Sequence, residues 1–259
     1  MIFLQGEMNM NEAVIIAHRA LSRVSLAVLL TDDLTGMAIT GSNARAWIEG
    51  EKPPVKKGDG WFVFTDLSAG QHTVLAEGGM YQLQQVTCTS DSGQMQTITI
   101  RLRPSRNYRV PPGCLRIEGT AEPGAKVTVY IPDRQNACKL LTDAVKGSLK
   151  LSIFHGRESL EGGSFRLITS GGEGENVFVI SSEDGNVYNI AAPLQEDHPK
   201  VGSMLVPAVV TEADSKGSFF AVLKSAPSGA KIVFESYGST VLLREYELVG
   251  ESTICPVLL

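Results

Sequence analysis

From residue 24 onward apolar and polar positions alternate with a period of two, the signature of half-buried β-strands. Residues 24–30 (VSLAVLL), 44–48 (ARAWI), 61–64 (WFVF), 72–76, 82–88 and 96–102 (QTITIRL) read as strands. Residues 32–36 (DDLTG) and 57–60 (KGDG) supply turns between them. The all-apolar run 61–64 predicts a strand covered on both faces, with Leu67 anchoring the next turn. A second set follows at 114–120, 125–131, 149–154, 164–170, 176–181 and 186–191, with Asp184-Gly185 as a two-residue hairpin signal. A third set occupies 204–210, 218–223, 231–235 and 240–246.

Only the N-terminus breaks this pattern. Asn11 suits an N-cap, and residues 11–21 (NEAVIIAHRAL) hold no Gly or Pro, which predicts a short helix within an arm of residues 1–22. Val14, Ile15 and Ile16 are three consecutive apolar residues near His18 and Arg19. They are candidate docking residues, on the arm's own first domain or on a neighbouring subunit.

Asp32, Leu34, Thr35, Gly36, Ile39 and Gly41 are followed by Asp59-Gly60-Trp61-Phe62-Val63-Phe64-Thr65-Asp66-Leu67, then Gly70, His72, Val74, Gly79 and Tyr81. This stretch, about residues 23–104, resembles the carboxypeptidase-regulatory-like, transthyretin-like β-sandwich. The resemblance implies a non-catalytic module of the kind attached to many different proteins. Residues 119–127 (GTAEPGAKV) resemble bacterial immunoglobulin-like repeats. The expected fold is therefore all-β: tandem antiparallel immunoglobulin-like and transthyretin-like sandwiches with a short N-terminal helix. The expected modules are 23–104, 110–192 and 193–259, the last echoing the first in Asp214–Phe220 and Pro227–Val233. An alternative inserts 147–200 into one larger immunoglobulin-like domain, since 119–129 and 214–234 would together complete one repeat.

Charge narrows the partners. A net charge of -5 offers no electrostatic attraction to a phosphate backbone or an anionic lipid surface, so neither nucleic acid nor membrane insertion is expected. Arg101, Arg103, Arg106 and Arg109 cluster around Pro104, where they read as a solvated inter-domain linker. Residues 1–10 show neither a basic n-region nor an apolar h-region, which predicts cytoplasmic synthesis and, at most, incorporation into a particle. Cys88, Cys114, Cys138 and Cys255 have no C-x-x-C spacing and read as buried free thiols.

Candidate chemistry is sparse. His155 and Glu158 have the H-x-x-E spacing of zinc carboxypeptidases, with His198 as the third ligand such a site needs. The surrounding β-hairpin pattern argues against that setting, so no metal, cofactor or catalytic residue is expected. Glu173 and Glu175 in the Gly-rich stretch 171–176 read as part of a polar loop. Trp47 and Tyr81 are the rings best suited to an exposed carbohydrate or partner surface, because Trp61 falls in a core run. The functional expectation is a non-enzymatic structural or adaptor subunit of a large assembly, such as a phage tail or phage-tail-like contractile particle. Its partners would be other subunits or further copies of itself. A carbohydrate-binding or adhesive sandwich is the alternative, and a zinc peptidase the third choice.

Overall fold

The computed structural model describes residues 22–91, 94–133, 137–156, 159–171, 174–224 and 229–248, and the backbone of 254–258. Among these residues the regular structure is entirely β-strand. The expected N-terminal helix, with Val14, Ile15 and Ile16, lies outside the described residues.

The first module comprises β1 (Val24–Asp32), β2 (Arg45–Ile48), β3 (Val55–Lys56), β4 (Trp61–Thr65), β5 (Gly70–Gly78), β6 (Tyr81–Ser90) and β7 (Gln96–Leu102). One sheet runs β3-β4-β1-β7 and the other β2-β5-β6. β1 and β7 lie parallel, while the neighbouring pairs are antiparallel. Leu26, Val28 and Leu30 of β1 meet Phe62, Phe64, Val74 and Ala76 in one core between the sheets.

β4 corrects one expectation. Phe62 and Phe64 point inward, whereas Trp61 and Val63 are only half-buried, so the strand is covered on one face and not on both. Gly60 has φ +91°, and a Cβ there would lie 3.2 Å from the Ile39 carbonyl, so the turn before β4 requires glycine.

β8 (Leu115–Thr120) and β9 (Lys126–Tyr130) then begin a second core that the chain leaves and later rejoins. Between them and the return lie β10 (Cys138–Leu140), β11 (Lys150–Phe154), β12 (Ser164–Thr169), β13 (Gly174–Asp184), β14 (Val187–Ile190) and β15 (Ser203–Glu212). These pair in the cycle β10-β11-β14-β13-β12-β15, and β15 pairs back to β10. Every neighbour in the ring is antiparallel. The result is a closed six-stranded barrel, a shape that removes free edges and was not anticipated from the sequence. Leu140, Leu151, Ile153, Leu167, Val179 and Leu205 fill its interior.

β15 belongs to both bodies. Residues 203–207 pair with β12, and residues 208–212 pair with β9. Pro207, which has no N–H to donate, stands at this change of partner. β16 (Ser218–Leu223), β17 (Lys231–Tyr237), β18 (Val241–Glu247) and β19 (Ile254–Leu258) complete the second sandwich. Its sheets are β16-β8-β19 and the run β15-β9-β17-β18. Ile117, Val127, Val129, Phe219, Ile232 and Phe234 pack between them. Residues 115–129 and 213–248 thus enclose one core, and residues 140–205 enclose another.

Candidate interaction surfaces and module junctions

The first and second modules meet at a buried carboxylate. β1 ends in an Asp-turn in which Asp32 Oδ1 accepts the amides of Leu34 and Thr35, both at 2.8 Å. Asp32 Oδ2 accepts two hydroxyls, Tyr81 at 2.8 Å from the start of β6 and Tyr108 at 2.5 Å from the connector. The two rings lie 5.7 Å apart, and Leu34 and Tyr108 pack on Phe220 and Val222 of β16. Burial works to raise the Asp32 pKa, but the bonds from Tyr108, Thr35, Tyr81 and Leu34 outweigh it and hold the group below its ordinary 3.8. Both tyrosine hydroxyls are pushed upward, by burial first and by the bond to Asp32 second.

The basic connector is therefore no solvated linker. Arg103 Nη1 donates to the Val210 carbonyl at 3.1 Å, and Arg106 Nη2 donates to Ser218 Oγ at 2.5 Å. Arg101 lies against Gly162 of the barrel, where a Cβ would sit 2.8 Å from its Nε. The seam between these modules leaves a cavity of about 30 Å³ beside Asp33, Leu34, Arg103 and Phe220. That is room for a water molecule and not for an organic ligand. At Asp33 burial raises the pKa, and the opposing charges of Arg103, Arg101 and Lys224 do not cancel the shift.

A second buried carboxylate joins the second module to the barrel. Arg166 of β12 pairs with Glu235 of β17, Nη2 to Oε2 at 2.6 Å and Nε to Oε1 at 3.2 Å. Tyr130 donates to Glu235 Oε1 at 2.7 Å, and Tyr237 donates to Oε2. Around this group Tyr130, Ile168, Val206, Ala208 and Val233 form an apolar cluster contributed by both bodies. Asn176 of β13 adds a bond to Thr128 Oγ1 at 2.8 Å. Burial is the first cause that raises the Tyr130 and Tyr237 hydroxyls, with the Glu235 bond second.

The candidate rings fare differently. Tyr81 is no free platform, because its hydroxyl is committed to Asp32 and its ring to both adjoining cores. Trp47 is half-buried on the outer face of β2-β5-β6, opposite Leu75, with the Arg45 guanidinium 5.1 Å from its ring centroid. Arg45 in turn pairs with Glu77. Beside this face lies an open hollow of about 390 Å³, lined by Glu49, Glu51, Gln71, Thr73, Leu75 and Gln85.

The histidines are engaged locally. His155 Nε2 lies 2.6 Å from the Tyr188 hydroxyl and 3.3 Å from the Gly185 carbonyl. Glu158 lies outside the described residues. His198 is buried, with Nε2 2.7 Å from Glu175 Oε1. Glu175 also accepts the amides of Gln195 and Glu196, at 2.9 and 3.3 Å, so it braces the 193–200 loop against β13. Glu173 is outside the described residues. Among those described, no group of three His, Cys, Asp or Glu is placed to hold a metal ion. Cys88, Cys114 and Cys138 are free and half-buried.

From the sequence, Asp32 reads as a turn residue and as part of the sandwich resemblance, while Glu235 and Arg166 are passed over as functional residues. A usable signal was present, since 231–237 (KIVFESY) and 164–169 (SFRLIT) each place one charge inside an apolar strand.

No family model and no curated protein matches the sequence. Among solved structures, the chain is similar to the Bacillus anthracis TIE protein at 10% identity and a TM-score of 0.25, covering 92% of this chain and 51% of that one. It thus spans about half of that protein's length. It is also similar to the D312A form of BcpA, the major pilin subunit of Bacillus cereus, at 10% identity and a TM-score of 0.27, covering 90% and 69%. The shaft pilin SpaA from Lactobacillus rhamnosus GG, as its D295N mutant, follows at 9% identity and a TM-score of 0.23, covering 91% and 97%.

Proposed function

We propose that this chain is a non-enzymatic structural or adaptor subunit of a multi-protein assembly, in which three β-bodies are held as one rigid presenter of their outer surfaces. The carrying observation is the pair of buried carboxylates, Asp32 and Glu235, each gripping two tyrosine hydroxyls at a module junction. Buried polar networks of this kind fix geometry more than they add stability, and fixed geometry is what an assembly subunit needs. The first module keeps the role its resemblance implies, an attached non-catalytic sandwich. The His155 and His198 contacts favour a bracing role for both rings over metal ligation.

Co-purification from the native source tests the reading. The full chain should carry other subunits, and deletion of residues 1–22 should weaken that capture if the arm holding Val14, Ile15 and Ile16 crosses between subunits. A chain recovered alone from its native extract overturns the assembly role. Recovery within a phage tail or contractile particle would establish the finer reading, and recovery in another assembly would discard it.

The open Trp47 face favours a second reading, a carbohydrate-binding or adhesive surface. Its hollow combines an aromatic neighbour with amide and hydroxyl groups, which suit polyol recognition. Glycan titration of the wild type and Trp47→Ala decides it, and saccharide affinities indifferent to Trp47→Ala would discard this surface.

A further inference from the structure

The nine-stranded sheet ends at β18, which among the described residues is hydrogen-bonded on one side only, to β17. The direction of its free groups follows from the ladder. Just beyond the strand, the Leu248 amide donates to the Ala230 carbonyl at 3.0 Å, in the same register that pairs Tyr246 with Ile232. Bonded and non-bonded pairs alternate along an antiparallel ladder. Leu242, Arg244 and Tyr246 therefore spend their backbone groups on β17. Val241, Leu243, Glu245 and Glu247 turn theirs toward the open edge.

The charged side chains of Arg244, Glu245 and Glu247 are the guards this edge carries. β18 holds no proline and no lysine, and its pairing with β17 runs without a bulge. Val241 and Leu243 are 67% and 50% exposed on it. Along these seven residues the outward backbone groups, apart from a 3.3 Å bond from Arg244 Nη1 to the Leu243 carbonyl, form a partly apolar template for strand addition.

We infer that β18 pairs antiparallel with β18 of a second copy of this chain, with Leu243 on the two-fold axis. The register follows from hydrogen-bond phase and from charge. Outward-facing residues must meet outward-facing residues, which limits the choice to alternate registers. Centring the axis on Arg244 opposes two guanidinium groups, and centring it on Glu245 opposes two carboxylates. Centring it on Leu242 leaves the second half of the strand unpaired. Centring it on Leu243 opposes no like charges, since Val241 meets Glu245 and Leu242 meets Arg244 of the second copy. The aliphatic stems of Glu245 and Arg244 then cover those apolar partners. The contact is isologous, so it closes as a dimer and does not propagate into a filament.

The inference rests on the assembly reading and names one partner within it, a second copy. Sedimentation of the full chain over a range of concentrations should show reversible dimers. Leu243→Lys should weaken the dimer by about tenfold or more, because it sets two ammonium groups against each other on the axis. Its circular dichroism should stay unchanged, and so should its thermal midpoint at concentrations where the wild type is monomeric, since the side chain is half exposed. Under mild oxidation Leu243→Cys should cross-link into a covalent dimer, and Glu245→Cys should not. A wild type that stays monomeric, a dimer indifferent to Leu243→Lys, or cross-linking at Glu245→Cys alone would each overturn the inference. So would dimers that form only after residues 1–21 are removed, because the edge would then be covered within one chain. A monomer that still carries other subunits from its native extract overturns the dimer and leaves the assembly role standing.

Discussion

Tyr108→Phe removes one hydroxyl from the first junction and little else, which makes it the sharpest probe of the Asp32 latch. Tyr108 and Asp32 are 6% and 5% exposed, so water cannot replace the lost donor. The bond is short, 2.5 Å, and its acceptor is ionised. Hydrogen bonds to charged groups contribute about 1.5 to 3 kcal/mol. The Phe ring keeps the contacts with Phe220 and Val222, and Asp32 retains three donors, which places the expected loss near the middle, at about 2 kcal/mol. Asp32→Asn should cost a similar amount, because Oδ1 can still take the Leu34 and Thr35 amides while the charge facing both hydroxyls is gone. The two changes act on one bond, so the double variant should fall short of their sum by about 1 kcal/mol or more. Chemical denaturation followed by fluorescence measures all three. A Tyr108→Phe cost below about 0.5 kcal/mol, or strict additivity, would refute the latch. The pH dependence follows the same logic. The folded pKa of Asp32 is depressed, so its contribution is present above the unfolded value of 3.8 and is lost as pH falls through the lower folded value. Asp32→Asn should therefore flatten the acid limb of the stability curve.

Asp33 should behave oppositely. Its pKa is raised, so stability is greatest below the unfolded 3.8 and declines as pH rises through the folded value; Asp33→Asn should be neutral or stabilising at pH 7, and a large loss on urea titration would contradict this. In the first core, Phe62→Ala and Phe64→Ala should each cost about 3 to 5 kcal/mol, and an unchanged thermal midpoint in both would undo the strand assignment. Arg166→Met leaves Glu235 buried with only tyrosine partners and should cost about 3 kcal/mol or more, whereas the double variant with Glu235→Leu should recover part of that loss. Double-variant stability no better than the single would speak against a charge left unpaired. Burial raises the Cys88 thiol above its ordinary 9.0, so its alkylation at pH 8, followed by peptide mass spectrometry, should lag that of a small free thiol. Equal rates would place Cys88 in solvent.

Most strands were legible because period-two alternation reports a sheet with one dry face. Residues 96–102 (QTITIRL) form β7 over the predicted span, and 218–223 form β16 likewise. β3 and β10 were missed because two and three residues are too few for a period to register. β19 was missed because Pro256 argues against a strand, yet this parallel pairing lies at a sheet edge, where proline is tolerated. The barrel was invisible for another reason. Its strands read individually as ordinary half-buried strands, and closure depends on β10 reaching β15 across more than sixty residues of chain, which no local pattern records.

The junctions show where sequence reading can improve. Composition assigned the arginines around Pro104 to solvent because charged residues usually lie there, but three of them are bonded to or packed against the bodies that follow. Tyr81 looked like an exposed ring for the same reason that it serves as a latch: an aromatic body with one polar tip fits a seam where apolar packing ends at a buried acceptor. Asp32 and Glu235 sit next to or within apolar strands, and a carboxylate in that position must either find donors or lose its charge. Each found two tyrosine hydroxyls, and of these four only Tyr237 belongs to the same strand as its carboxylate. At Asp32 one hydroxyl comes from the connector, and at Glu235 the cation comes from the barrel. Each carboxylate keeps partners within its own module, but the full set exists only in the docked state, because Arg166 reaches Glu235 from the barrel and Tyr108 is held against Phe220 and Val222. That coupling makes relative motion of the described modules costly.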